Sequence, residues 1–216
     1  LLVTLPVWKI NRGKAKAEEP LRSLSLFQAL KIKGVPFLLI GFFAYCAAEG
    51  TAMYWASTYL VEAKGIASES AAAFASLFYI GLTAGRFLGG FIMARLGDRK
   101  MILLGTGILF CGIVCLLIPI QNETLSLIGL IIIGFGCAPI YPCIIHSTPY
   151  NFGAENSGAI IGIQMASAYV GNLTMPPLFG LLANNITPAL FPFYLLALLV
   201  LMVCMHEQLV RKTRRS

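Results

Sequence analysis

Glu49 is a carboxylate set deep inside an apolar run, GVPFLLIGFFAYCAAEGTAMYWASTYL at residues 34–60, about fifteen residues from the basic end of that run. An ionised carboxylate in hydrocarbon is costly, so an acid in such a position faces a cavity or a partner and is a functional-site candidate. Tyr45, Glu49, Ala52, Ala56 and Tyr59 recur at helical spacing and share one face, offering polar tips, one acid and small residues that leave room. Two readings follow: Glu49 binds substrate or carries a proton, or it completes a structural ion pair. Tyr54 and Trp55 lie on adjacent faces, where Trp55 could stack on a sugar or ring, or anchor the helix at a membrane interface.

Arg86 is the cationic counterpart, embedded in the apolar run at about 70–94. At about 1.5 Å per residue it lies about 8 Å nearer the basic end than Glu49, so a salt bridge needs a favourable tilt of the two helices. The other reading has its guanidinium bonded to carbonyls near a helix end. Tyr141 sits between Pro139 and Pro142, and His146 follows near the end of the same run, where it reads as an interfacial histidine or a proton relay. Gln164, Tyr169, Asn172 and Thr174 supply uncharged hydrogen-bonding groups; Gln164 and Asn172, eight apart, are placed on one stripe, which suits a hydroxyl-rich ligand or bonds between helices. The six cysteines all fall in apolar runs without metal-ligand spacing and read as packing residues, so no metal or cofactor is expected. The chain carries no GxSxG, HExxH or Walker motif, which argues against an enzyme or an ATP-driven pump. Asn122-Glu-Thr124 matches a glycosylation sequon of low specificity.

The elements that must hold these groups are membrane helices. Of 216 residues, 58% are hydrophobic and 12% charged, about half the charged share of a soluble domain. The net charge of +7 is spread between apolar runs, with no basic aromatic face for nucleic acid. Six runs are long enough to cross a bilayer, at about 34–60, 70–94, 101–120, 125–148, 157–183 and 188–205. If the basic segment 9–33 is cytoplasmic, alternation puts 14 of the 16 Lys and Arg on that side, as the positive-inside rule requires. Four segments are therefore expected: 1–8 as the end of a preceding helix, 9–33 as a cytoplasmic linker, 34–206 as a six-helix bundle and 207–216 as a cytoplasmic tail. LLVTLPVW at residues 1–8 suggests a piece of a longer protein. Small residues in the second and fifth runs mark contact faces, and Pro139, Pro142, Pro176 and Pro177 free carbonyls that need partners in the bundle or a cavity.

Gly90, Arg95, Gly97, Arg99 and Lys100 resemble the loop signature of the major facilitator superfamily, with Ala94 in place of its acid and Asp98 in place of an Arg. Those departures fit the degraded copy between helices 8 and 9. The chain thus resembles the C-terminal half of such a transporter, an all-α six-helix bundle that is half of a twelve-helix fold. YCAAEGTAMYW, GRFLGG and GFGCAPIYP are similar to stretches of the fucose permease group of sugar:proton symporters. The resemblance implies alternating access at a site between two bundles, with a sugar-like substrate, protons, the lipid bilayer and an N-terminal six-helix half as partners, in a bacterial inner membrane. Tyr45, Glu49, Trp55, Tyr141, Gln164 and Asn172 are the expected substrate contacts, Glu49 also the proton-coupling candidate. Arg86, Gly90, Arg95, Gly97, Asp98, Arg99 and Lys100 are the expected gating or structural set, with the turn from Gly97 to Lys100 as a latch.

Two rivals stay open: a facilitator for drugs or organic anions, and a multi-pass sensor or scaffold that transports nothing. The topology itself is testable. Single cysteines at Lys64 and Lys100, in a background lacking the six native cysteines, should react with an impermeant maleimide from opposite sides of sealed vesicles; labelling from the same side would refute the alternation.

Overall fold

The computed structural model describes residues 26–118 and 123–213. The expected helix end at 1–8, most of the linker, Asn122 of the sequon and the last three tail residues lie outside them. Among the described residues the fold is all-α. A short helix α1 (Leu26–Leu30) leads into six long ones: α2 (Val35–Glu62), α3 (Ser68–Leu96), α4 (Asp98–Leu117), α5 (Glu123–Phe152), α6 (Ala154–Asn185) and α7 (Phe191–Thr213), the last preceded by a single 3₁₀ turn at Pro188–Leu190. Five are apolar and long enough to span a bilayer on length and composition, α7 together with its 3₁₀ turn. The exception, α6, has the length at 32 residues but carries the polar stretch from Ala154 to Ser157 and the amides Gln164 and Asn172.

Turns are tighter than the sequence suggests. Gly97 alone joins α3 to α4, ending one helix through its N–H to the Met93 carbonyl at 2.9 Å and starting the next by accepting from Met101 N–H at 3.1 Å. Its φ of 74° lies where a side chain is strained, so glycine is the residue that can reverse the chain in one step. The loop expected at 149–156 likewise contracts to Gly153, φ 83°, because α5 continues through Pro149 to Phe152. Pro139 and Pro142 also lie inside α5, and Pro176 and Pro177 inside α6, so the assigned helices run on through the expected interruptions.

The long helices pack as two interlocked triplets. The first helix, α2, lies against α6 and α7, while α5 lies against α3 and α4. Each three-helix run therefore lends its first helix to the other, a pattern that an inverted repeat of three helices produces. Close backbone approach holds the second triplet together. A Cβ on Gly134 would collide with the Phe78 carbonyl and one on Gly81 with the Ile131 carbonyl, so α3 and α5 meet through glycine. Against α4, a Cβ on Gly105 would come within 2.7 Å of the Gly136 carbonyl. Lipid offers no water-exclusion force between helices, and contact of this kind supplies the dispersion that replaces it. Gly171 of α6 performs the same service against Phe43 of α2, whereas Gly90, Gly158 and Gly162 meet nothing within 4 Å. The core is aromatic and aliphatic, with Phe42, Tyr45, Phe78, Phe179 and Phe191 fully buried.

Gly134→Ala should lower the thermal midpoint in detergent by an amount equivalent to about 1–3 kcal/mol of overpacking. Gly107→Ala, in a helix position open to its surroundings, should leave the midpoint unchanged or raise it; equal effects at the two sites would refute the close-packing account.

Candidate functional site

The site forms where α2, α3 and α5 meet. The glycine-rich contact of α3 with α5 sets their backbones close together around Gly81 and Gly85, and Arg86 follows directly, a little over one turn after Gly81. On α2, the face Tyr45, Glu49, Ala52, Ala56 and Tyr59 is buried in its entirety. The structure thus turns that face into the bundle, where the tyrosines act as inter-helix pegs. Tyr45 donates its hydroxyl to the Cys137 carbonyl of α5 at 2.9 Å, and Tyr59 donates to the Leu116 carbonyl at the end of α4 at 2.9 Å.

Glu49 remains 8% exposed. Its Oε1 lies 3.9 Å from Arg86 Nη2 and has no hydrogen-bond partner. The tilt required for this pairing is present. A charge-assisted hydrogen bond is about 2.7–2.9 Å, so the two groups attract without closing. The Arg86 side chain is 56% exposed and lines a cavity of about 390 Å³ between α3 and α5, bounded also by Met93, Met101, Pro139, Tyr141 and Pro142.

The remaining expected contacts are distributed around this centre. Tyr141 lines the cavity and packs on Phe42, ring centroids 5.0 Å apart, with its hydroxyl 3.1 Å from Met165 Sδ. Trp55 is committed elsewhere: its indole N–H donates to the Pro176 carbonyl at 3.0 Å and its ring meets Phe179 edge-on at 5.3 Å. Gln164 is fully buried beside Thr148, Oε1 to Oγ1 at 3.1 Å. Asn172 is exposed and lies against Gly50 of α2. Eight residues are two full turns plus about 80° of an α-helix, which is why the two amides do not share an environment. Neither lines the cavity at Arg86.

Toward Gly97 a second cavity of about 620 Å³ shares Gly90 and Met93 with the first and is lined by Asp98, His146 and Tyr150. The charges of the turn have partners on neighbouring helices. His146 Nδ1 lies 2.8 Å from Asp98 Oδ2, and Arg99 Nη2 lies 3.9 Å from Glu207 Oε1 of α7. Arg95 and Lys100 are exposed. At the opposite end Lys64, in the turn after α2, donates to the Ile118 carbonyl at 3.1 Å and sits 5.9 Å from the Tyr59 ring centroid; desolvation lowers its pKa from the usual lysine value. Sequence reasoning singled out Asp98 and His146 without pairing them, and it passed over Thr148, Met93 and Met101. The spacing of Asp98 and His146 on separate helices carries no local signal.

A bundle of interlocked triplets with an unclosed ion pair beside a cavity has the architecture of a secondary transporter half. Residues 13–214 match the Major Facilitator Superfamily, and the chain belongs to that family, whose members are transporters and not enzymes. It is therefore a multi-pass membrane protein. An uncharacterized MFS-type transporter of Yersinia pestis is 27% identical over 183 residues, covering 81% of this chain and 45% of the relative. Among solved structures, an auto-inhibited POT family peptide transporter aligns with TM-score 0.73 at 17% identity, over 83% of this chain and 37% of that one. A single-residue variant of the E. coli fucose:proton symporter FucP aligns with TM-score 0.67 at 16% identity, over 88% and 47%. These likenesses show the fold. The chain spans about half the length of the curated relative, and between a third and a half of these two structures.

Tyr45→Phe removes the donor to the buried Cys137 carbonyl and should destabilise the bundle by about 1–3 kcal/mol. A thermal midpoint in detergent unchanged from wild type would show that the peg contributes nothing.

Proposed function

We propose that this chain supplies helices 7 to 12 of a secondary active transporter, in which it forms one wall of a midplane site and a second six-helix half forms the other. Alternating access by rocking of the two halves follows from that arrangement. The solute class is a sugar taken up with protons across a bacterial inner membrane, a reading supported by the resemblance of YCAAEGTAMYW and GFGCAPIYP to the fucose permease group and by the shared fold with FucP.

One observation carries the coupling role: Glu49 is buried with an unpartnered carboxylate oxygen 3.9 Å from a half-exposed guanidinium. Protonation of Glu49 removes its attraction for Arg86; deprotonation restores it. The pair can then exist in two charge states within a low-dielectric wall, which is the property a proton-coupled carrier needs. Asp98, His146, Arg99 and Glu207 act as the latch at the cytoplasmic end, holding α4 to α5 and α7 while that end is closed.

In liposomes containing the full-length protein, an imposed pH gradient should drive sugar accumulation by wild type. Glu49→Gln should abolish gradient-driven accumulation while retaining solute exchange, as a fixed neutral side chain cannot carry the proton. Unimpaired accumulation by that variant would remove Glu49 from the coupling.

A further inference from the structure

We infer that Arg86 and Tyr141 form a carboxylate-binding subsite, so that the solute bound beside Glu49 carries an acid group. This rests on the transporter reading above and deepens it by naming the group that the cavity recognises.

Arg86 is the single charged side chain among the described residues lining the 390 Å³ cavity. That volume falls in the range of small-molecule sites, about 300–1,000 Å³. A guanidinium presents five N–H donors in a planar fork matched to carboxylate oxygens. None of the five has a hydrogen-bond acceptor among the described residues, and Glu49 stands off at 3.9 Å. The deficiency is mutual, since Glu49 Oε1 is also without a hydrogen-bond partner. Both groups are held by well-packed helices, one through Tyr45 to Cys137 and the other through the glycine contacts at Gly81 and Gly85. The pair therefore has its charges in register and its hydrogen bonds open.

A ligand carboxylate completes this arrangement. It meets Arg86 in the cavity and takes donors that Glu49, at 3.9 Å, does not use. Tyr141 supplies a hydroxyl at the same wall, where its acceptor is the thioether of Met165 at 3.1 Å, a weak partner that an anionic oxygen outcompetes. Met93, Met101, Pro139 and Pro142 give the rest of the wall an apolar surface, which suits the C–H face of a sugar ring as well as a hydrocarbon body. The two methionines can adjust to either. Two negative groups then share one guanidinium. Glu49 relieves the repulsion by taking a proton, and the anion and the proton enter together. Neutral amides do not line this cavity, so it offers an uncharged sugar far less than it offers a sugar acid.

Glucose and glucuronate differ at one carbon, a hydroxymethyl against a carboxylate, and isolate the group in question. Titration calorimetry on the purified full-length protein should give binding of glucuronate at least roughly tenfold tighter than glucose. Benzoate, an acid without hydroxyls, reports on the body: binding as tight as glucuronate assigns an apolar acid, weaker binding a sugar acid, and either supports the subsite. Arg86→Gln should remove the preference for the acid, and Arg86→Lys should retain part of it. Glu49→Gln should keep glucuronate binding and abolish the proton uptake that accompanies it in wild type. Equal affinity of wild type for glucose and glucuronate, or no binding of either acid, overturns the inference. The wild-type comparison needs no variant to fold. Gradient-driven uptake of glucose by a wild type that binds glucose and glucuronate equally would leave the transporter reading intact while removing the carboxylate subsite; absence of flux for any solute despite acid-selective binding would do the reverse.

Discussion

Hydrocarbon cannot hydrate a peptide carbonyl, and this constraint governs the bundle. The polar side chains of α2 are spent on meeting it. Tyr45 reaches Cys137, two residues before a proline in α5; Trp55 reaches the carbonyl of Pro176 in α6; Tyr59 reaches Leu116, at the end of α4. The Leu116 carbonyl lies in the last turn of its helix, where no intrahelical donor follows, while the Cys137 and Pro176 carbonyls, in helix interiors, take the side chain as an additional donor from another helix. Tyr194 of α7 adds a fourth bond of the kind, to Met175 beside Pro176. Ser167 of α6 returns one to the Leu39 carbonyl of α2. A single helix is thereby fixed to three others at defined heights and rotations.

That fixation explains why an acid can stand where Glu49 stands. One turn after Tyr45, it cannot rotate away from the bundle without breaking the peg, and only 8% of it is exposed. What it meets is set by the other triplet, where α3 and α5 are in backbone contact through Gly81 and Gly134. Arg86 follows from that contact as Glu49 follows from the Tyr45 peg. The ion pair thus reports the relative position of the two triplets, and a solute or proton that alters it acts on the seam between them. The second cavity adjoins the first within the triplet of α3, α4 and α5 and reaches Asp98 and His146. The proposed coupling at the pair and the proposed latch at the turn thus border adjoining cavities that share Gly90 and Met93.

Much of this was legible from the chain. Hydrophobic length placed all six long helices, because a bilayer imposes one thickness on every span. Gly97 was legible as a turn, since an apolar run stops and restarts around it. Its contraction to one residue was not, because that depends on φ at a single position. Pro139 and Pro142 read as interruptions, yet α5 runs through both; a bundle supplies other donors and contacts where a helix in isolation would break. Glu49 and Arg86 were legible as the ionisable residues inside spans. Their meeting was not, as it turns on helix tilt, and neither was the burial of Gln164 apart from Asn172, since a whole-number spacing of eight hides an offset of about 80°. Side chains that bond to carbonyls of distant helices carry no local pattern at all.

The central claim is that Glu49 and Arg86 act as one coupled unit beside the cavity. A double-mutant cycle tests it directly, using Glu49→Gln, Arg86→Gln and the double variant of the full-length protein, each measured for proton uptake per solute bound. The account predicts non-additivity: either single change removes the coupled proton, and the second removes nothing more. Two independent partial losses that sum in the double variant would contradict it, and would assign the two residues to separate roles.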